Sequence, residues 1–313
     1  MQSEIIKKRQ NRDLSCNDLY SIDQLSINDI DLILELAEIF KKHEKSPMNL
    51  LSGKTFFNVF FENSTRTRSS FELAAKQLGA NVINIEGSKS SSKKGESFID
   101  TIQTVNALSA DGIIVRASES GLQRYLSAYS KAPIINAGDG ILEHPSQALL
   151  DTLTIKQEFG KIKDIKILIV GDVLHSRVFG SLYRILTKMN AKIEICAPST
   201  FIPKGLDLIY HTDLKKAAKD KDVIYTLRVQ SERGSNGFVP DLKDYSKRYL
   251  ITQDLLPKTA ILMHPGPVIR NTDIAYDAVD SAQSRILNQV QNGLATRKAI
   301  LYLLSTKNEK HSH

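Results

Sequence analysis

The chain reads as an α/β protein with two doubly wound domains, each built on a central parallel sheet, joined by long helices. Three observations predict this class. Short apolar runs alternate with amphipathic stretches, first from "KTFFNVFF" to "APIINAG" and again from "KILIVGD" to "AILMHPGP", the pattern of a parallel sheet with crossover helices. A length of 313 residues suits about two domains, each large enough for its own core. Polar and charged clusters follow several of the apolar runs, and in such sheets ligands sit beyond the carboxyl ends of the strands.

In chain order, "SINDIDLILELAEIFKKHEK" has apolar residues at helical spacing, with Ser26 or Asn28 as its cap. "KTFFNVFF" is a buried strand, and the helix that follows it ends at Gly79. "NVINIE", "GIIVRA" and "APIINAG" supply three more strands, with helices in "ESFIDTIQTVNAL" and "GLQRYLSAYS". "HPSQALLDTLTIKQEFG" is a long helix opened by Pro145, and the domain junction is placed in it. The second half continues with "KILIVGD", a helix over 176–189, "KIEICAP", a short helix near 213–219, "DVIYTLR", a loop, and "AILMHPGP". The last stretch, "AQSRILNQVQNGLATRKAILYLLS", is helical and is expected to cross back to the first domain. The domains so expected are 1–145 plus 292–313, and 146–291. The tail "TKNEKHSH" reads as a frayed end.

Composition excludes several classes. The formal net charge is +7, yet no basic stripe is interleaved with aromatics and no zinc-finger spacing occurs, which argues against nucleic acid as a partner. Cys16 and Cys196 make no disulfide framework and point to a reducing, cytoplasmic setting. Neither has a second Cys or a His at ligand spacing, so neither a metal nor another cofactor is expected. The N-terminal segment is basic but no apolar stretch follows it, and the apolar runs are too short to span a bilayer.

Several clusters could carry chemistry. In "FENSTRTRSSFELAAKQLGA", Ser64, Thr65, Arg66 and Thr67 lie at a strand-to-helix turn. First-turn amides lack internal partners and carry partial positive charge. Hydroxyls and a guanidinium added there form a phosphate cradle without a glycine-rich loop; the plainer reading is a Ser/Thr cap with solvated arginines. "SKSSSKKGES" has the composition of a polar linker; its functional reading is a lid bringing Ser90 and Lys94 onto an anion. Arg116 closes "GIIVR" and fits a ligand contact or a surface ion pair. His144 and Gln147 in "HPSQ" stand about one helical turn apart, and a lone His there also fits a structural role. Arg177 follows "ILIVGD", a run without G-x-G-x-x-G and so a poor dinucleotide site. Arg228 and Gln230 in "TLRVQ" alternate and so share a face. "HPGPV" holds Gly266 and Pro267, whose bond is a candidate cis peptide or part of a plain tight turn.

"FFENSTRTRSSFELAAKQLGA", "HPSQALLD", "VGDVLHSRVFGSL", "RVQSER" and "HPGPV", in that order, resemble the carbamoyltransferases, and among them the catalytic chains of the aspartate carbamoyltransferase family. The resemblance runs from about residue 18 to 304. It implies transfer of the carbamoyl group of carbamoyl phosphate to the amino group of L-aspartate, in pyrimidine synthesis, with no covalent intermediate. It also implies a homotrimer with active sites between neighbouring subunits, to which regulatory chains or a dihydroorotase are candidate additions. The first domain would bind carbamoyl phosphate and the second aspartate. Ser64, Thr65, Arg66 and Thr67 would hold the phosphate. Thr67, Arg116 and His144 would contact the carbamoyl oxygen and Gln147 the carbamoyl amide. A neighbouring subunit would supply Ser90 and Lys94, and Lys94 would also bind aspartate. Arg177, Arg228 and Gln230 would hold the aspartate carboxylates, and the backbone at Gly266 and Pro267 would border the carbamoyl nitrogen and the amine. Two departures stand out. Position 266 is Gly where relatives often carry a larger residue, and "GSNGF" at 234–238 is glycine-rich in a loop expected to be flexible. Ornithine carbamoyltransferases share the phosphate cradle but have a cysteine in "HCLP", where this chain has Pro265. A non-catalytic scaffold of the same fold is the other alternative.

Overall fold

The computed structural model describes residues 2–9, 12–43, 48–86, 97–230 and 241–307. The expectations for Ser90 and Lys94, for the loop at 234–238 and for the end of the tail fall outside them. Helices α1 (Gln2–Arg9) and α2 (Ile27–Lys42) precede β1 (Thr55–Phe60), α3 (Thr65–Gln77), β2 (Asn81–Glu86), α4 (Phe98–Ala107), β3 (Gly112–Ala117), α5 (Leu122–Ser127), β4 (Ile134–Asp139) and α6 (Pro145–Phe159). Then come β5 (Lys166–Gly171), α7 (Arg177–Lys188), β6 (Lys192–Cys196), β7 (Ile209–His211), α8 (Leu214–Ala217), β8 (Val223–Leu227), α9 (Leu242–Tyr249), β9 (Ile261–Met263), α10 (Tyr276–Val279) and α11 (Ile286–Ser305).

The chain forms two compact units: residues 1–150, 180–182 and 291–313, and residues 151–179 and 183–290. In the first, four parallel strands lie in the order β2-β1-β3-β4. In the second, five parallel strands lie in the order β7-β6-β5-β8-β9. Each sheet is doubly wound. The chain leaves β1 for one side of the first sheet and returns at β3 to build the other; it does the same at β5 and β8. The switch points are thus β1/β3 and β5/β8, where crossovers diverge and leave a crevice beyond the strand ends.

Burial explains the strands. Residues 56–60 of β1 and all of β8 are buried, the continuous apolar signature of a sheet covered on both faces. On one face of the first sheet Phe57, Val59, Ile113, Val115 and Ile134 pack with Ile102, Val105, Leu122 and Leu126 of α4 and α5. Ser26 caps α2 in a capping box with Asp29.

Four elements lie outside the sequence expectations, among them the four-residue helix α10. α1 is a polar helix whose Arg9 is buried, donating to Thr306 and lying 5.2 Å over the Tyr302 ring. β7 is a three-residue edge strand beside β6. α9 lies where a loop was expected; Asp241 caps it through Lys243 N at 2.7 Å, and it buries Tyr245 and Tyr249. Short apolar signals of this kind gain their order from packing rather than propensity.

Candidate active site

The expected phosphate-binding residues sit at the β1/β3 switch point. Ser64 is the N-cap of α3, but its side chain makes no cap hydrogen bond. Ser26, Ser97 and Ser176 each do at their own helices. The Ser64 hydroxyl is therefore not engaged as a cap of α3. Thr67 is buried and Arg66 exposed.

Arg116 is the penultimate residue of β3, directly across from Phe60 of β1. Its Nη1 donates to Ala137 O of β4 at 3.1 Å, and its Nε lies 3.4 Å from Glu62 Oε2. The guanidinium is thus held between two neighbouring strands at the carboxyl edge of the sheet. Glu62, which sequence reasoning did not single out, is an ion-pair partner of this largely buried arginine.

His144 and Gln147 open α6, beyond the end of β4, and both are buried. The Gln147 N–H donates to His144 O at 2.9 Å, which fixes the first turn. The His144 N–H donates to Ser181 Oγ at 2.8 Å, and Ser181 Oγ donates to Glu143 Oε2 at 2.9 Å. Glu143 also accepts from Ser21 Oγ at 2.5 Å and Ile22 N at 3.0 Å. This carboxylate pins the entry to α6 to the chain near residue 21. Only its place beside His144 hints at that in sequence.

In the second unit the expected residues gather at the β5/β8 switch point. Arg177 is the first residue of α7, after β5, and is buried. Arg228 and Gln230 follow β8, and Arg228 Nη2 donates to Gln230 Oε1 at 3.1 Å. Asp172, 1% exposed, joins the two strand ends. It accepts from Gln230 N at 3.1 Å and from His175 N at 3.2 Å, with His175 Nδ1 at 2.9 Å. Asp172 was not singled out in the sequence, although a carboxylate directly after "ILIVG" stands where this fold places ligands. Gly171 lies at φ +117° with Leu227 O 2.2 Å from where a Cβ would stand, so only glycine fits between these strand ends. Burial, with Asp273 and Asp172 nearby, pushes the Tyr245 phenol well above its ordinary value.

The Gly266–Pro267 bond is cis, and Gly266 has φ +70°, a conformation that favours glycine. Among the described residues, no group of His, Cys, Asp and Glu is arranged to hold a metal, and no helix is long and apolar enough to cross a membrane.

Two open α/β sheets with hydroxyl and guanidinium groups at one switch point and arginines at the other are the makings of an α/β protein that binds small anions. The chain belongs to the aspartate/ornithine carbamoyltransferase family. The family's carbamoyl-P binding domain matches residues 17–157 and its Asp/Orn binding domain residues 163–304. The aspartate carbamoyltransferase catalytic subunit of Flavobacterium psychrophilum is 43% identical over 95% of this chain and 99% of its own length. That of a Roseiflexus species is 45% identical over 91% and 93%. Among solved structures, the catalytic subunit of M. jannaschii aspartate transcarbamoylase superposes with a TM-score of 0.85 at 37% identity, covering 94% of this chain and 99% of that one. The Trypanosoma cruzi enzyme in complex with carbamoyl phosphate and aspartate gives 0.83 at 32%, covering 91% and 95%.

Proposed function

We infer that the chain transfers the carbamoyl group of carbamoyl phosphate to the amino group of L-aspartate, giving N-carbamoyl-L-aspartate and phosphate for pyrimidine synthesis. The observation that carries this reading is the match of both family domains along the chain, with Ser, Thr and Arg side chains at the ends of strands that flank the two switch points supporting it. Residues 1–145 with 292–313 take carbamoyl phosphate, and 146–291 take aspartate.

The phosphate lies at the start of α3, on Ser64, Thr65, Arg66 and Thr67. Arg116, His144 and Thr67 donate to the carbamoyl oxygen, and Gln147 holds the carbamoyl amide. Arg177, Arg228 and Gln230 hold the two carboxylates of aspartate. The backbone at Gly266 and Pro267 borders the carbamoyl nitrogen and the attacking amine. The amine forms a C–N bond to the carbonyl carbon, the C–O bond to phosphate breaks, and the departing phosphate takes the amine's proton. Negative charge gathers first on the carbonyl oxygen and then on phosphate, and fixed donors stabilise both. Holding two substrates in contact supplies much of the remaining acceleration.

The active form is a cytoplasmic homotrimer in which Ser90 and Lys94 complete a neighbour's site. Regulatory chains or a dihydroorotase are its candidate further partners. A colorimetric assay for N-carbamoyl-aspartate, run in parallel with ornithine, tests the reading. Product with aspartate and none with ornithine is expected, since paired arginines suit a dicarboxylate. Citrulline formation instead, or no binding of carbamoyl phosphate by calorimetry, would overturn it.

A further inference from the structure

We propose that His264 is a positioning residue that fixes the Gly266–Pro267 turn by accepting a hydrogen bond from the Gly266 N–H at its Nδ1. The inference rests on the carbamoyl-transfer reading, in which that turn faces the carbamoyl nitrogen and the amine.

His264 is 1% exposed and stands at the end of β9. The Gly266 N–H donates to its Nδ1 at 2.7 Å. That nitrogen therefore carries a lone pair, and the proton of the neutral ring resides on Nε2. Nε2 faces the carboxylate of Asp273, with Oδ2 at 3.5 Å. The same oxygen accepts from Ile269 N at 2.9 Å, which fixes the Asp273 carboxylate on the far side of the loop. The main chain of His264 is held as well. Its N–H donates to Gln289 Oε1 at 2.9 Å, Gln289 Nε2 donates to Asp151 Oδ1 at 2.8 Å, and Tyr225 Oη donates to Asp151 Oδ2 at 2.7 Å. A buried chain of polar groups thus runs from β8 through α6 and α11 to the main-chain N–H of His264, whose ring separately accepts from the Gly266 N–H.

Gly266 makes the clamp matter. Glycine populates many backbone conformations freely, so the residue itself does little to select its φ of +70°. The acceptor on His264 selects it instead. If the turn drifts, its backbone no longer lines up with the reacting nitrogens, and a misplacement of about 1 Å can cost about 10²-fold in rate.

Two substitutions separate positioning from simple packing. Asn carries its Oδ1 the same number of bonds from Cα as the imidazole Nδ1, so His264→Asn keeps the acceptor for Gly266. Gln reaches Asp273 as Nε2 does but has no acceptor at the nearer position. His264→Gln is expected to lower kcat about 10²-fold, and His264→Asn to stay within about threefold of wild type. Their melting temperatures should be similar. An Asn variant as impaired as Gln, or a Gln variant with wild-type kcat, overturns the proposal. If either variant fails to fold, the wild-type chain labelled with heavy nitrogen at histidine gives the answer. The His264 Nδ1 resonance should be that of an unprotonated, hydrogen-bonded nitrogen, and a protonated Nδ1 overturns the clamp. A wild type that forms no N-carbamoyl-aspartate defeats the functional reading instead, while the nitrogen resonance still reports on the clamp.

Discussion

Glu143→Ala removes a buried carboxylate that accepts from Ser21 Oγ, Ile22 N and Ser181 Oγ at 2.5, 3.0 and 2.9 Å. Hydrogen bonds to a charged group contribute about 1.5–3 kcal/mol each. The two hydroxyls can rotate toward other acceptors, but the Ile22 N–H is buried, and leaving it unsatisfied costs about 1–3 kcal/mol. Loss of the carboxylate also relieves its own desolvation, so the total stays below the sum of three bonds. The expected cost is about 3–5 kcal/mol, or about 6–10 °C in melting temperature at about 2 °C per kcal/mol. Glu143→Gln keeps one oxygen for Ile22 and replaces the other by an amide donor, and should cost about 1–2 kcal/mol. Turnover should follow the same order. Ser181 Oγ accepts from His144 N at 2.8 Å, so freeing that hydroxyl loosens the turn that presents His144, with a loss of about tenfold or more in kcat. Calorimetry and steady-state kinetics on the three proteins check this. An alanine variant within about 1 kcal/mol of wild type, or a glutamine variant as damaged as alanine, would refute the reasoning.

Arg66→Ala should lower turnover by at least about 10²–10³-fold with an unchanged melting temperature, because the side chain is exposed; wild-type-like turnover would remove Arg66 from the site. Gly171→Ala places a Cβ 2.2 Å from Leu227 O at φ +117°, and urea denaturation should show a loss of about 2–4 kcal/mol together with weaker aspartate binding. Burial pushes the Cys196 thiol up to about 12. In the unfolded chain the thiol ionises near its ordinary value of about 8.5, so its contribution is complete below that pH and is lost as pH rises toward the folded value. Stability should therefore fall by up to about 1.4 kcal/mol per pH unit in that window from this group. Urea midpoints for Cys196→Ala should fall less steeply than for wild type between about pH 9 and 11; equal slopes would count against a buried thiol.

The parallel sheets could be read from the chain because their strands are continuous apolar runs. "ILIV" in β5 and "FFNVF" in β1 announce themselves locally. Elements that depend on a partner could not. β7 has three residues and exists because β6 offers it a ladder; α9 exists because Tyr245 and Tyr249 find a place to be buried. The expected ligand groups were legible because helix starts and strand ends collect polar residues in short, recognisable clusters. Their supports were not. Asp172, Glu143 and Asp273 look like ordinary surface carboxylates in sequence, and each was identified by the donors that reach it in three dimensions.

Local chemistry alone determined the fold class, the positions of most strands, and which hydroxyl and guanidinium groups stand at the start of α3, near the end of β3, and after β5 and β8. It did so because periodicity and capping act over a few residues. Which strands flank each switch point is a matter of tertiary structure. So are the pairing of Arg116 with Glu62, the acceptance of Ile22 N by Glu143 across 121 residues, and the anchoring of Gln230 on Asp172 across 58. These contacts join segments far apart in the chain, and a buried polar group is satisfied only where folding has brought its partner.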